Sequence, residues 1–335
     1  MKTIVITHYG QAKEVFETIE TPMPVLSSGE ILVKVMATSV NPIDYKIRGG
    51  YLPHLIPAFP AVLHGDVAGV VAQVGPDEQR FKVGDRVYGC IGGFLDRSGA
   101  LGEFAKGDST LFARMPKNLD FAQAAALPLV GITAYQTVFE KGNIQPGQRV
   151  LIYGAAGGVG HIAVQLARIA GAEVFATVSS QEKADIVRAL GAHHTIDYTR
   201  TSIEDMIAQY TNGEGFDMVI DMVGNDNLLN SFTLTKVRGT IVTILAWTTL
   251  DISLLHQKAL SFHVVHMITP FLFNDTTGQQ QLGSTLDHIT ALVEAGQVKP
   301  HIDRIYPFAQ IAAAHEYAES GGITGKVVIA QEGGL

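Results

Sequence analysis

One stretch limits the fold of this chain more than any other: Val150-Leu151-Ile152-Tyr153 followed by Gly154-Ala155-Ala156-Gly157-Gly158-Val159-Gly160. The four apolar residues read as a short buried strand, and the small residues after them suit a turn that few side chains would fit. His161-Ile162-Ala163-Val164-Gln165-Leu166-Ala167 then reads as a helix. A glycine-rich turn between a strand and a helix lets the backbone approach a pyrophosphate. The start of that helix offers it unpaired N–H groups and a partial positive charge. The other reading of the turn is a tight strand-to-helix connection with no ligand.

The surroundings of this turn alternate. Strands are expected at 149–153, 173–178, 194–197, 217–221 and 239–245, with helices near 158–170, 181–190, 202–211 and 226–236. Such alternation implies a parallel sheet covered on both faces. The first 125 or so residues look different. Residues 1–6, 31–37 and 67–74 are strand-like runs, several bounded by Gly and Pro, and Gly84-Asp85 reads as a turn into a strand at Arg86-Val87-Tyr88. A helix is expected over 121–142 with Asp120 as its N-cap, another at 279–296, and a closing strand at Lys326–Ala330.

The chain has 335 residues, 47% of them hydrophobic, which is enough for two packed cores. Its net charge of -8 argues against nucleic acid or an anionic membrane as a partner, since both need clustered Lys and Arg. Cys90 is the single cysteine, so no intrachain disulfide and no cysteine-rich zinc lobe can form. No uninterrupted apolar stretch is long enough for a membrane span, and Met1-Lys2-Thr3-Ile4-Val5-Ile6 reads as a strand rather than a signal peptide. These features together lead us to expect a cytoplasmic location.

The strand after the glycine turn bears on the cofactor. NAD-selective sites usually place Asp or Glu there to bond the ribose hydroxyls. Here Ala176-Thr177-Val178 runs into Ser179-Ser180-Gln181-Glu182-Lys183. Hydroxyls and a Lys would accept a 2′-phosphate that an acid would repel, so NADPH is expected over NADH. Lys183 has an ordinary alternative as a solvated helix residue, and Glu182 dilutes the local charge.

Ser39-Val40-Asn41-Pro42-Ile43-Asp44, His64-Gly65-Asp66-Val67-Ala68-Gly69-Val70-Val71, Gly84-Asp85-Arg86-Val87-Tyr88-Gly89, Ala124-Ala125-Ala126-Leu127-Pro128 and Thr133-Ala134-Tyr135 join the glycine turn in a pattern covering nearly the whole chain. In combination these motifs resemble the medium-chain dehydrogenase/reductase superfamily, specifically its zinc-free quinone oxidoreductase (zeta-crystallin-like) branch. The resemblance implies an α/β chain of two domains. A GroES-like β-rich catalytic domain would be formed by 1–125 and 268–335, and a Rossmann NADPH-binding domain with a doubly wound parallel sheet by 126–267. It implies that Ser179, Lys183 and Tyr198 hold the 2′-phosphate. The full cofactor-binding set expected is Asn41, Thr133, Ala156, Gly157, Gly158, Val159, Ser179, Lys183, Tyr198, Val223, Leu245 and Ala246.

Zinc-dependent members of the superfamily carry Cys where Asn41 stands and His where Gly65 stands. Neither residue here is a good zinc ligand, so no metal is expected. Without a metal to polarise an alcohol, a conjugated acceptor is the easier substrate, because hydride addition delocalises charge onto an oxygen that hydrogen-bond donors can stabilise. Asn41 and Lys46 are the catalytic candidates, and Tyr45, Tyr51, Trp247 and Phe271 the candidate walls of the substrate pocket. Tyr45 and Tyr51 would serve equally as loop packing, and Phe271 equally as core. The activity expected is zinc-independent transfer of hydride from NADPH to a small quinone or α,β-unsaturated carbonyl. The alternatives are an enoyl-thioester or other alkene reductase, and an NADPH-binding sensor or structural protein with little turnover. A homodimer is expected through the Rossmann sheet, because the strand-like run 262–268 would otherwise leave an open edge.

Overall fold

The computed structural model describes residues 1–331. They form two compact units, one from Met1–Leu129, Ile268–Gly296 and Pro300 onward, the other from Val130–Met267 with Gln297–Lys299.

The second unit is a six-stranded parallel sheet. Its spatial order is His194–Asp197, Glu173–Val178, Arg149–Tyr153, Phe216–Asp221, Thr235–Thr243, Ser261–Val264. Numbered by sequence this is 3-2-1-4-5-6, the Rossmann order, whose direction reverses beside its first strand. Helices Gly160–Ile169, Gln181–Ala189, Ile203–Thr211 and Asp226–Leu234 make the crossovers. Local chemistry starts two of them: the Ser180 and Ser202 hydroxyls accept from the N–H groups of Lys183 and Asp205. Leu151, Tyr153, Phe175, Ile196, Met206, Phe216, Val219 and Leu234 pack as one core cluster, and Leu228, Phe232, Ile241 and Leu260 as another. Ser261–Val264 pairs on one side only and ends the sheet.

The first unit is β-rich. Ile302–Pro307, Lys326–Ala330, Glu30–Ser39, Asp66–Val74, Arg86–Cys90 and Phe112–Arg114 lie side by side, and Phe104–Asp108 also pairs with Glu30–Ser39. The antiparallel register sets Val328 opposite Ser39 and Ala68 opposite Ala37. This brings Lys326 and Asp66, far apart in sequence, to the same end of Glu30–Ser39.

Several expected elements differ from those observed. The helix expected over 121–142 is broken: Phe121–Ala125 stops before Pro128, Pro128–Tyr135 restarts, and Gln136–Lys141 widens into a π-helix. Proline disfavours helical backbone in the residue before it, here Leu127. Asp120 does cap the first piece, accepting from Gln123 N–H at 2.7 Å. The run expected as strand over 262–268 is strand only over Ser261–Val264. The segment holding Tyr45 and Lys46 is a helix, Pro42–Arg48, rather than a loop.

Helix Thr276–Glu294 lies in the first unit against the segment Ser109–Leu111. A Cβ on Gly283 would sit 1.8 Å from the Thr110 carbonyl oxygen. Gly→Ala inside a helix ordinarily gains about 1 kcal/mol. Here a contact with rigid backbone opposes it, and forced overpacking costs about 1–3 kcal/mol. Gly283→Ala is therefore expected to lower the urea midpoint. A raised midpoint would mean that the helix moves away at little cost.

Candidate functional site

In the second unit the glycine turn is shaped by backbone contact. Gly154 has φ +66°, and a Cβ on Gly160 would lie 2.1 Å from the Gly154 carbonyl oxygen. Only glycine at 160 lets the helix start so close to the strand it follows. Gly157 N–H closes the turn on the Gly154 oxygen at 2.9 Å. Gly157, Gly158 and Val159 remain partly exposed while Ala156 is buried. A glycine-lined turn opening onto a ten-residue helix is a cradle of the size and polarity that a pyrophosphate requires, so the residues present fit a dinucleotide.

Two further groups gather at the carboxyl ends of the same strands. Val223 borders the turn: a Cβ on Gly154 would meet the Val223 Cγ2 at 3.3 Å. Gly224, at φ +75°, leaves room for Leu245, whose Cβ and carbonyl oxygen would lie 2.8 and 2.9 Å from a Cβ at 224. Val223, Leu245 and the adjoining Ala246 thus sit together beside the turn. On its other side, parallel pairing sets Asp197 against Val178, so Tyr198 and Ser179 leave adjacent strands at one level. Lys183 lies in the first turn of the helix that Ser180 caps. Tyr198 is 53% exposed and Ser179 and Lys183 partly so, which suits groups that reach for a ligand. Thr133 is buried in helix Pro128–Tyr135. Trp247 is 80% exposed, with the His266 ring edge-on to it at 5.9 Å.

One residue of this constellation was not anticipated. Asp221 is fully buried at the end of Phe216–Asp221, and its carboxylate accepts from Val223 N–H at 2.9 Å and Gly224 N–H at 3.0 Å. Thr243 Oγ1 donates to it at 3.2 Å. It anchors the loop that carries Val223. Burial raises its pKa, and the three donors oppose the rise.

In the first unit Asn41 is the centre of a buried polar cluster. Its side chain is 1% exposed, its Nδ2 donates to Asp66 Oδ2 at 2.7 Å, and its Oδ1 accepts from Lys326 Nζ at 2.5 Å. Its backbone N–H donates to Asp44 Oδ2 at 2.7 Å, which helps start helix Pro42–Arg48. Lys326 also donates to the Val40 carbonyl at 2.8 Å and stands 3.8 Å from Asp66 Oδ2. Asp66 receives Ser39 Oγ at 2.7 Å and Leu129 N–H at 2.9 Å. Burial pushes the Asp44 carboxyl up to about 7, the Asn41 N–H opposes this, and the Asp66 carboxylate adds to it.

His64 and His315 close the cluster on another side. Both are fully buried, and burial holds His64 down at about 3 and His315 well below the usual imidazole range, so both are neutral. Thr38 Oγ1 donates to the Asp66 carbonyl at 2.6 Å, so its contact with His64 Nδ1 at 3.1 Å requires that nitrogen to carry the proton. His64 Nε2 then accepts from His315 Nε2 at 2.9 Å, leaving His315 Nδ1 a bare lone pair, in keeping with its lack of a donor.

The other expected residues of this unit lie apart from the cluster. Lys46 and Tyr45 are half-buried on helix Pro42–Arg48, and Tyr51 is 75% exposed beyond it. Phe271 is fully buried, edge-on to Phe94 at 5.7 Å and beneath the Arg97 guanidinium at 4.8 Å. It packs as a core side chain among the described residues. Among the described residues no three His, Cys, Asp or Glu side chains are grouped as metal ligands. No described helix is long and apolar enough to cross a membrane.

Residues 27–117 match the family described as alcohol dehydrogenase GroES-like domain, and 190–329 the family described as zinc-binding dehydrogenase. The chain is 35% identical to 2-methylene-furan-3-one reductase of Solanum lycopersicum over 98% of its own length and 79% of that protein's. It is 30% identical to the human quinone oxidoreductase over 98% of its length and 97% of the relative's. The Escherichia coli quinone oxidoreductase, solved in complex with NADPH, superposes with a TM-score of 0.85 at 28% identity, covering 98% of this chain and all of that one.

The Asp44 carboxyl yields a signed prediction. Its ordinary value is 3.8 and its folded value about 7, so between these pH values the native chain holds a proton that the unfolded chain has lost. The stability this contributes is complete below the unfolded value and fades as pH rises towards the folded one, by at most about 1.4 kcal/mol per pH unit. Asp44→Asn is expected to flatten the fall of the urea midpoint across that window. Identical slopes in the two proteins would show that Asp44 ionises normally.

Proposed function

The chain belongs to the medium-chain dehydrogenase/reductase superfamily, and within its quinone oxidoreductase branch we propose that it reduces quinones or α,β-unsaturated carbonyls at the expense of NADPH, without zinc. The observation that carries this reading is the state of Asn41. Its carbonyl oxygen already holds the Lys326 ammonium, which would repel a metal ion placed beside it, and neither Asn41 nor Gly65 supplies a zinc ligand. One hydrogen of its Nδ2 is committed to Asp66 and the second is available as a donor. A donor without a metal suits an acceptor whose charge develops on a conjugated oxygen, and does not suit removal of a proton from an alcohol.

The bound nicotinamide would supply the hydride. The chain's own residues bind and orient. The turn at 156–159 and the helix start receive the pyrophosphate, Ser179, Lys183 and Tyr198 the 2′-phosphate, and Val223, Leu245 and Ala246 flank the nicotinamide end. Thr133 belongs to the same set. Asn41 and Lys46 are the proposed donors to the substrate oxygen, and Tyr45, Tyr51 and Trp247 the proposed walls around it. Asp197, which precedes Tyr198, has its carboxylate turned to Thr199, accepting from its N–H at 3.0 Å and its hydroxyl at 2.6 Å.

Two outcomes follow. Lys183→Ala is expected to weaken NADPH binding by about 1–3 kcal/mol, the scale of a charge-assisted hydrogen bond, and to leave NADH binding nearly unchanged. Equal losses for both cofactors in a fluorescence titration would remove the 2′-phosphate assignment. The activity itself is tested by NADPH oxidation with a quinone, an enone, a crotonyl thioester and simple alcohols in the reverse direction, before and after chelation. Turnover of the quinone or enone, undiminished by chelation, is expected. Preference for the thioester would make the chain an enoyl-thioester reductase, and inertness to all acceptors a binding protein. Loss of activity with a stoichiometric zinc ion would defeat the metal-free reading.

A further inference from the structure

The buried cluster around Asn41 holds more charge than the fold of the first unit needs. Lys326 is 2% exposed and Asp66 fully buried, on the two strands that flank Glu30–Ser39, where a pair of apolar residues would pack. Removing two charges from water is costly, and isosteric apolar replacements of such pairs are often neutral or stabilising. The contacts suggest what the charges do. A carboxamide has two faces that differ only in which atom donates, and little else distinguishes them sterically. Lys326 Nζ can only donate, and it meets Asn41 Oδ1. The carboxylate of Asp66 can only accept, and it meets Asn41 Nδ2. A flipped Asn41 would set its N–H against an ammonium and its oxygen against a carboxylate.

We propose that Lys326 is a positioning residue which, paired with Asp66, locks the Asn41 carboxamide in one orientation so that its second Nδ2–H is fixed for the reacting oxygen. The role in reduction rests on the function proposed above, whereas the lock itself does not. Val40 supplies the second acceptor for the Lys326 ammonium and Ser39 Oγ a further donor to Asp66, so neither member is free to swing away. Asp44 holds the Asn41 backbone from the other side. The carboxamide is therefore held at its oxygen by Lys326 and at its nitrogen by Asp66, while Asp44 fixes the backbone that carries it.

The test separates charge balance from orientation. Lys326→Met alone leaves the buried Asp66 carboxylate without its countercharge and is expected to unfold the unit or weaken it severely. Lys326→Met combined with Asp66→Asn removes both charges, keeps the shape, and is expected to restore the melting temperature. In that double variant the carboxamide introduced at position 66 can donate or accept and no ammonium faces Asn41, so the charges no longer select one orientation of Asn41. The expected result is a wild-type melting temperature with kcat lowered about 10- to 100-fold, the scale of a small misplacement of a reacting group, and little change in the KM of the enone. In protein labelled with 15N-asparagine, the Asn41 side-chain amide signal, assigned by its loss in Asn41→Ala, should shift and broaden. A double variant with wild-type kcat, or with an unaltered Asn41 signal, overturns the proposal. Should the wild type reduce neither quinone nor enone, the function proposed above fails, and the amide signal still decides whether Lys326 sets the orientation of Asn41.

Discussion

The approach of Gly160 to the Gly154 carbonyl governs the nucleotide-binding half of the chain. A helix that begins within contact of its own strand aims its first N–H groups at the space above the strand's carboxyl end. The parallel sheet then brings Ser179, Tyr198, Val223 and Leu245 to the same edge, because each crossover returns the chain to start a strand in the same direction. Ser179 and Tyr198 follow directly on strand ends, and Val223 and Leu245 lie two residues beyond theirs. A side chain at 160 would push the helix outward and misplace its N–H groups, whatever else was kept.

Most of this unit was legible in the sequence because its signals are local. Buried parallel strands such as Arg149–Tyr153 and Glu173–Val178 are built on short apolar runs, and serine caps and glycines punctuate them. The helix Pro42–Arg48 was equally legible in principle. Asn41 before Pro42, with an acid at Asp44, is the pattern of an N-cap followed by a first-turn proline and a capping carboxylate, yet the segment was expected as a loop. Helix Ile311–Glu319 and strand Ile302–Pro307 also went unassigned, the latter because its parallel pairing with Lys326–Ala330 is decided by tertiary contact and not by an alternation of its own.

The cluster around Asn41 lay beyond sequence reasoning for a different reason. Lys326 sits in a strand expected from its apolar neighbours, where an isolated Lys reads as the solvent-facing member. Its burial depends on register with a strand from the far end of the chain, through which Val40 N–H meets the Val327 carbonyl at 3.0 Å. Likewise Asp66 stood inside a recognised motif, but only pairing with both Ser39 and Asn41 shows what its charge does. Phe271 was ambiguous for the opposite reason: an aromatic after a proline suits a pocket wall and a core equally, and its contacts with Phe94 and Arg97 appear only in the folded chain.

The two buried aspartates at the strand ends solve one problem in different ways. Asp66 faces the Lys326 amino group at 3.8 Å while it holds Asn41. Asp221 has only neutral donors, two backbone N–H groups and one hydroxyl, and desolvation outweighs them enough to raise its pKa. Ionised, it accepts from all three donors at once. Protonated, it must turn one oxygen into a donor, and one of those contacts loses its acceptor. The loop carrying Val223 is thus held by an acid whose charge is itself only partly compensated. That fixes the Val223–Gly224 turn to the end of Phe216–Asp221 for as long as its three donors stay aligned.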